Sequence, residues 1–226
     1  MLGWICWQKG ASVHAEICGV SGVTFYRLTA APPRFFRQRR KLLQHIRAMR
    51  QRGIRCVVVQ GEGDNELLWQ QGLLAVDAAP LRLALLPKLL DYAETVWQLS
   101  LSAAAVRLRS KTVDRTVYQA AQILAQRTRY LELSVETGRE ELEDWLRRCY
   151  GLGAGGGETV LEVCVGVEES GALPALHLGK GCGERQSLQL FCETLTWADE
   201  QMLAALFQAE KLETNAVVIK SVGFRA

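Results

Sequence analysis

The chain has 226 residues, of which 49% are hydrophobic and 23% charged, proportions typical of a folded protein rather than a disordered one. Its formal net charge of +3 is too small to indicate the charge of a partner. No basic segment followed by an apolar one opens the chain, and no stretch is long and apolar enough for a membrane span. The sequence therefore predicts a cytoplasmic protein with no membrane segment.

The cysteines and histidines are scattered along the sequence. There are seven cysteines, an odd number, and no C-x-x-C spacing occurs among them. The three histidines lie far apart and none is in ligand spacing with a cysteine or a carboxylate. The pattern predicts neither a disulfide framework nor a metal site, and it is consistent with a cytoplasmic location.

The N-terminal part begins with three short predicted strands. They cover Leu2–Trp7, 12–18 and 23–29, and glycine turns separate them. Consecutive strands with short turns favour a β-meander. An amphipathic helix is predicted next over 34–52. Its predicted apolar stripe consists of Phe35, Leu42, Ile46 and Met49, flanked by Phe36 and Leu43.

The segment 54–59, with a continuous apolar run at 56–59, predicts a strand that is covered on both faces. It ends in Gly61-Glu62-Gly63, where a phosphate-binding turn would lie, but Glu66 replaces the third glycine of the dinucleotide fingerprint. A plain turn into a helix is therefore favoured. The region 65–98 is predicted to be helical in pieces, with Pro80 and Pro87 in first turns or at a kink.

The central part has the most regular pattern. Strands are predicted at 104–109, 130–135 and 160–167. Asp114 is expected to cap the first intervening helix, and Thr137-Gly138-Arg139-Glu140 matches a capping box for the second. This βαβαβ order predicts a parallel sheet with right-handed crossovers. It resembles half of a doubly wound, Rossmann-like fold, a resemblance of fold and not of function.

The C-terminal part predicts a hairpin, a helix and a strand. The hairpin pairs Ala175–Leu178 with 188–192, the helix runs from a capping box at 196–199 to about Leu212, and the strand covers 216–222. The predicted fold class is thus α/β, with an N-terminal β-meander and helix–strand unit followed by the βαβαβ sheet. We expect an α+β subdomain over 1–100 and an α/β subdomain over 101–226.

The three central strands each carry an apolar set of side chains opposite a mixed set. If these strands are in sequential order, both crossover helices cover the apolar face. The mixed face includes Arg107, Arg109, Glu132 and Glu162, which we expect to form ion pairs across the strands. Two interpretations are open for this face: a solvated ladder of salt bridges, or a site for a polar ligand or subunit.

The loops at the carboxyl ends of these strands form the candidate anion site. Hydroxyl, ammonium and backbone N–H groups at a helix start are able to hold an anion. The residues proposed for this site are Ser110, Lys111, Thr112, Asp114, Thr137 and Gly138, with 168–171 at the end of the next strand. The alternative is simple helix capping with polar loops. If the protein is an enzyme, Lys111 would bind the anion and Asp114 would orient it or transfer a proton.

Charge is unevenly distributed along the sequence. Ten basic residues and no acidic one lie between Ile17 and Gly61, whereas ten acidic residues and three arginines lie from Glu132 to Glu169. A basic helix can bind nucleic acid through its cations. The cations proposed for that role are Arg37, Arg40, Lys41 and Arg47. Alternatives are a solvated helix face or complementarity with the acidic region.

Three functions are compatible with these patterns. The favoured one is a non-catalytic or degenerate α/β protein that acts through a protein partner, a homo-oligomer or a small anionic ligand. The second is an enzyme that binds a nucleotide-type cofactor or anionic substrate at the carboxyl ends of strands 104–109, 130–135 and 160–167. The third is nucleic-acid binding through the basic helix 34–52. No sequence motif decides among them, and none identifies a cofactor.

Overall fold

The computed structural model describes residues 1–33, 35–152, 157–167, 173–179, 182 and 186–224. The strands are β1 (Leu2–Trp7), β2 (His14–Val20), β3 (Val23–Ala30), β4 (Cys56–Gln60), β5 (Leu74–Ala75), β6 (Ala105–Thr112), β7 (Tyr130–Thr137), β8 (Thr159–Val165), β9 (Ala175–Leu178), β10 (Gln186–Cys192) and β11 (Val217–Phe224). The helices are α1 (Phe36–Gln51), α2 (Asn65–Gln70), α3 (Ala79–Ala84), α4 (Leu86–Val96), α5 (Arg115–Ala125), α6 (Arg139–Tyr150) and α7 (Glu200–Gln208). This alternation of strands and helices around parallel sheets confirms the predicted α/β class.

The chain forms two compact units, and each of them is discontinuous in sequence. The first consists of Met1–Asp77 and Leu195–Glu213, and the second of Ala78–Thr194 and Thr214–Ala226. This division differs from the predicted 1–100 and 101–226. The difference arises because α3 and α4 belong to the second unit, while α7 returns to the first and lies against β4.

The sheet of the first unit has the order β2-β3-β1-β4-β5. The predicted strands are present, but the β-meander is wrong, because β1 is parallel to β3 with Leu2 opposite Phe25. Only β2 and β3 form an antiparallel pair. The burial of the strands explains the order. Five of the six residues of β1 are buried, as a central strand requires, whereas β2 is mostly exposed and occupies the edge.

Helix α1 packs on one face of this sheet. Its residues Leu42, Ile46 and Met49 are buried together with Ile5 and Leu28, as the periodicity predicts. The two phenylalanines of the predicted stripe do not share this position: Phe35 and Phe36 are 70% and 79% exposed. They lie at the start of the helix, before the first turn that reaches the core, so their assignment to the core face was wrong.

The second unit contains the predicted βαβαβ pattern in an all-parallel sheet of order β7-β6-β8-β9. The strands are therefore not in sequential order, because the chain places β6 between β7 and β8. The crossover helices nevertheless share one core. Val117 of α5 and Leu142 of α6 are buried in the same cluster as Leu108, Leu133 and Val163 of the sheet. The apolar face predicted for these strands is thus the face that carries both helices.

The helix starts agree only in part with the predicted caps. Asp114 caps α5 as predicted, since its carboxylate accepts a hydrogen bond from the N–H of Val117. The capping boxes are wrong in register. Gly138 occupies the cap position of α6 with φ +84° and no side-chain cap, because Thr137 still belongs to β7. Helix α7 is capped by Asp199, through the N–H of Met202, rather than by the threonine at the start of the proposed box. Prolines begin α3 and α4 as predicted.

The predicted hairpin between 175–178 and 188–192 is wrong. Strand β9 extends the parallel sheet beside β8, and β10 pairs with β11 in a separate antiparallel sheet. The side chain of Gln186 connects the two strands instead, because it accepts from the N–H of His177 and donates to the carbonyl of Ala175. All four residues of β9 are buried, which suits an inner position better than a hairpin at the surface.

The described residues contain neither a membrane-spanning helix nor a cluster of metal ligands. No helix among them is long and apolar enough to cross a membrane. No three histidine, cysteine, aspartate or glutamate side chains in this part of the chain lie together as a metal ion would need.

Candidate nucleic-acid interface

The glycines of the turn after β4 serve packing. Gly61 has φ +81°, and a Cβ at Gly61 would overlap the backbone of Trp7, while one at Gly63 would overlap its indole ring. The helix that follows has only six residues, and Asp64 caps it through the N–H of Leu67 at 2.8 Å. This geometry favours the plain turn over a phosphate-binding loop.

The structure brings the first two candidate anion-binding loops together. Thr112 lies opposite Thr137 in the sheet, and the N–H of Val113 donates to the carbonyl of Thr137. The polar groups of these loops, however, largely form hydrogen bonds with the backbone of the chain. The hydroxyl of Ser110 is buried and donates to the carbonyl of Thr112 at 2.8 Å, and the carboxylate of Asp114 covers the start of α5.

Lys111 and Thr112 are the last two residues of β6 and are exposed. Gly138 occupies the cap position of α6. The proposed third loop, 168–171, lies outside the described residues. An anion at α5 would have to displace the negatively charged Asp114 from the N-terminus that it caps. The anion site at these strand ends remains a prediction, and the geometry favours its capping alternative.

The mixed face of the second sheet holds the predicted ion pairs. Arg107 contacts Glu132 at 3.0 Å and Glu162 at 2.9 Å, and Arg109 contacts Glu162 at 3.1 Å. Thr159 also donates to Glu132 at 2.7 Å. The charges are thus satisfied mainly by one another, which favours the salt-bridge ladder over a ligand site.

The position of Glu132 in this ladder affects its titration. The hydrogen bond from Arg107 lowers the pKa of Glu132 below its ordinary value of 4.5, and it raises the pKa of Arg107. A carboxyl group with a depressed folded-state pKa stabilises the fold above its unfolded-state pKa, and this contribution is lost as the pH falls through the folded-state pKa.

We expect Glu132→Gln to make the protein less stable than the wild type at neutral pH, by at most about 1 kcal/mol because the side chain is partly exposed. The difference should disappear in acid, since the wild-type carboxyl group is then protonated as well. Urea denaturation at several pH values measures this. Glu193→Gln, at an exposed position in the turn after β10, is the control, and a difference that persists unchanged in acid would contradict the assignment.

Helix α1 has a group of exposed cations that form no ion pair with the residues that the structure describes. We call them the basic face of α1, and they are Arg37, Arg39, Arg40, Lys41 and Arg47. All five are exposed, and among the residues that the structure describes none of them forms an ion pair. The sequence explains why: the whole segment from Ile17 to Gly61 contains no acidic residue.

The arginines at the C-terminal end of the same helix differ from these cations because they contact other groups of the first unit. Arg50 donates to the carbonyl of Gln71. Arg52 donates to the carbonyl of Ala48 and lies over the ring of Tyr26, with its guanidinium carbon 5.0 Å from the ring centre. These contacts lie within the first unit and assist its packing. The basic face is therefore a distinct subset of the arginines rather than a general property of the helix.

An open groove runs along the basic face. It has a volume of about 380 Å³. The residues that line it are Phe36, Arg39, Arg40, Leu43, Gln44 and Arg47. They follow the helical repeat, so they form one continuous stripe. The groove combines guanidinium groups, which bind phosphate through paired hydrogen bonds, with an aromatic ring at one end.

The sequence predicted this surface incompletely. Arg37, Arg40, Lys41 and Arg47 were proposed and are exposed, and the structure adds Arg39 and Phe36 to the same surface. The phenylalanines were missed because apolar residues next to a helical stripe are usually part of it. Their position at the helix start, six and seven residues before Leu42, was the available signal.

The comparisons with known proteins assign neither a family nor a function to the chain. No protein-family model matches the chain, and no curated protein matches its sequence. Among solved structures, the chain is similar to L-tryptophan dehydrogenase from Nostoc punctiforme, with 9% identity and a TM-score of 0.34, over 93% of this chain and 68% of that one. At this TM-score the likeness supports no conclusion about the fold or the function of the chain.

Proposed function

We propose that this protein is a non-catalytic α/β protein that binds nucleic acid through the basic face of α1, in the cytoplasm. The observation that carries the proposal is the set of five exposed cations without ion-pair partners among the described residues. Phosphate groups along a nucleic acid would supply the missing negative charge, and contacts to phosphate dominate such binding. The odd number of scattered cysteines supports the cytoplasmic location.

The composition of the face favours phosphate as its target. Four of its five cations are arginines, whose planar guanidinium groups match the geometry of phosphate oxygens. The cations are also held on a rigid scaffold, because Leu42, Ile46 and Met49 fix the opposite side of α1 in the core. The enzyme alternative has less support, since Ser110 and Asp114 are engaged with the backbone.

We expect the triple variant Arg39→Gln/Arg40→Gln/Arg47→Gln to lose more than about ten-fold in affinity for a labelled oligonucleotide at low salt. The reason is that fewer counterions are released when fewer phosphates are neutralised. For a single strand, the slope of log K against log salt concentration should fall by about two, which is 0.7 for each contact removed. Fluorescence anisotropy at several salt concentrations measures both quantities.

A control variant removes the same charge elsewhere. Arg115→Gln/Arg147→Gln/Arg148→Gln changes three exposed arginines of α5 and α6, and it should bind as the wild type does. Equal losses in both triple variants would show that only net charge matters. No binding of any oligonucleotide to the wild type at low salt would reject the proposal outright.

A further inference from the structure

We infer that the nucleic acid bound by the basic face of α1 is single-stranded, with a base stacked on the ring of Phe36 and phosphates held by Arg39, Arg40 and Arg47. This inference rests on the proposed function and specifies its ligand. It is carried by the combination of an exposed aromatic ring with cations that line the same groove.

The two aromatic rings at the start of α1 are exposed to solvent. Phe36 is 79% exposed and Phe35 is 70% exposed, although both are large apolar side chains. A phenylalanine ring has no group that can donate a hydrogen bond to a phosphate or to the edge of a base. It can, however, stack on the face of an unpaired base, an interaction that tolerates any sequence. Bases within a duplex are already stacked on one another and do not offer this face.

The length of the groove matches a short segment of single-stranded nucleic acid. From Phe36 to Arg47 the helix rises by about 16 Å at 1.5 Å per residue. That distance corresponds to about five nucleotides at the 3.4 Å spacing of one strand, and to fewer when the strand is extended. The stripe thus has one stacking position at its end and cations along its length, so it combines the two kinds of contact that single-strand binding uses.

The way in which α1 is packed argues against a membrane surface as the partner. Helices that lie in a membrane interface bury a wide apolar face among the lipids. The apolar side of α1 is already in the protein core, through Leu42, Ile46 and Met49. Only the phenylalanines at its start and the partly buried Leu43 would be left for lipid.

The substitution Phe36→Leu tests this inference, because leucine remains apolar but cannot stack. We expect it to weaken binding to a single-stranded oligonucleotide of about 12 nucleotides by about ten-fold, with deoxythymidine and uridine forms as separate probes. Phe36→Trp should restore the affinity, since the indole offers a larger ring. The variants should fold normally because the side chain is exposed. Trp69→Leu on α2, also an exposed aromatic, is the control and should have no effect.

The same variants are measured with a duplex of equal length and with vesicles of phosphatidylcholine and phosphatidylserine. We expect the wild type to bind the duplex more weakly than the single strand, and Phe36→Leu to bind the duplex as the wild type does. Equal binding of duplex and single strand, or no loss with Phe36→Leu, would overturn the inference while the proposed function stands. Binding to vesicles but to no oligonucleotide would overturn both.

Discussion

Replacement of Arg82 by methionine is expected to lower the free energy of unfolding by about 3–5 kcal/mol, because three buried carbonyls lose a charged hydrogen-bond donor. Arg82 is 0% exposed, and its guanidinium donates to the carbonyls of His177, Cys182 and Gln186. Methionine fills much of the same space but donates nothing. The carbonyls of His177 in β9, of Gln186 at the start of β10 and of Cys182 between these strands would lose this donor in the interior, where each unsatisfied group costs about 1–3 kcal/mol.

Urea denaturation followed by circular dichroism measures the loss, and hydrogen exchange should show faster opening at β9 and β10. Arg82→Lys should be nearly as harmful, because one ammonium group does not reproduce the guanidinium fork. Arg127→Met is the matched control: Arg127 pairs with Asp91 at 2.7 Å, but both side chains are largely exposed, so the cost should stay below about 1 kcal/mol. A stability of Arg82→Met close to that of the wild type would contradict this role.

The second large effect is expected at Glu162, the buried member of the ion-pair ladder. Its side chain is only 1% exposed, and its two oxygens contact Arg107 and Arg109. The substitution Glu162→Gln keeps the shape but removes the charge that both guanidinium groups face. We expect a loss of about 3 kcal/mol, because Arg109, which is 23% exposed, would lose the carboxylate it pairs with, whereas Arg107 would keep Glu132.

The two glutamates of the ladder differ in burial, so their substitutions can be compared directly. Glu132 shares Arg107 with Glu162, but its side chain is 41% exposed, so Glu132→Gln should cost much less. The double variant Arg109→Met/Glu162→Met should recover part of the stability, since an apolar pair can replace a buried ion pair. Equal costs at Glu132 and Glu162 would show that burial does not determine the strength of these pairs.

Local features of the fold were predictable from the sequence, because they depend on neighbouring residues. The βαβαβ order, the Asp114 cap and the prolines at the starts of two helices are of this kind. Strand order was not predictable in the same way. The two-residue turn at Ser21-Gly22 indicates that β2 pairs with β3. Nothing local indicates that β1 lies parallel to β3 on its other side, and only the continuous apolar run of β1 suggested a central position.

The candidate interface was predictable in its charge and not in its aromatic part. Ten basic residues in a segment without acids leave few local partners, so exposure of most of them was a sound expectation. Whether Phe36 faces the core depends on where the helix begins relative to the sheet, and this is a property of tertiary packing. The buried contacts of Arg82 were missed for the same reason, because its partners lie about 100 residues away.

The return of α7 to the first unit has a consequence for synthesis on the ribosome. The N–H of Val59 in β4 is bonded to the side chain of Gln201, 142 positions later. At about 5–20 residues per second, roughly 7–28 seconds separate the emergence of these two residues. During that interval the nascent first sheet lacks the helix that covers part of it. Chaperone binding to the growing chain is expected to be strongest in this window and to end when α7 emerges.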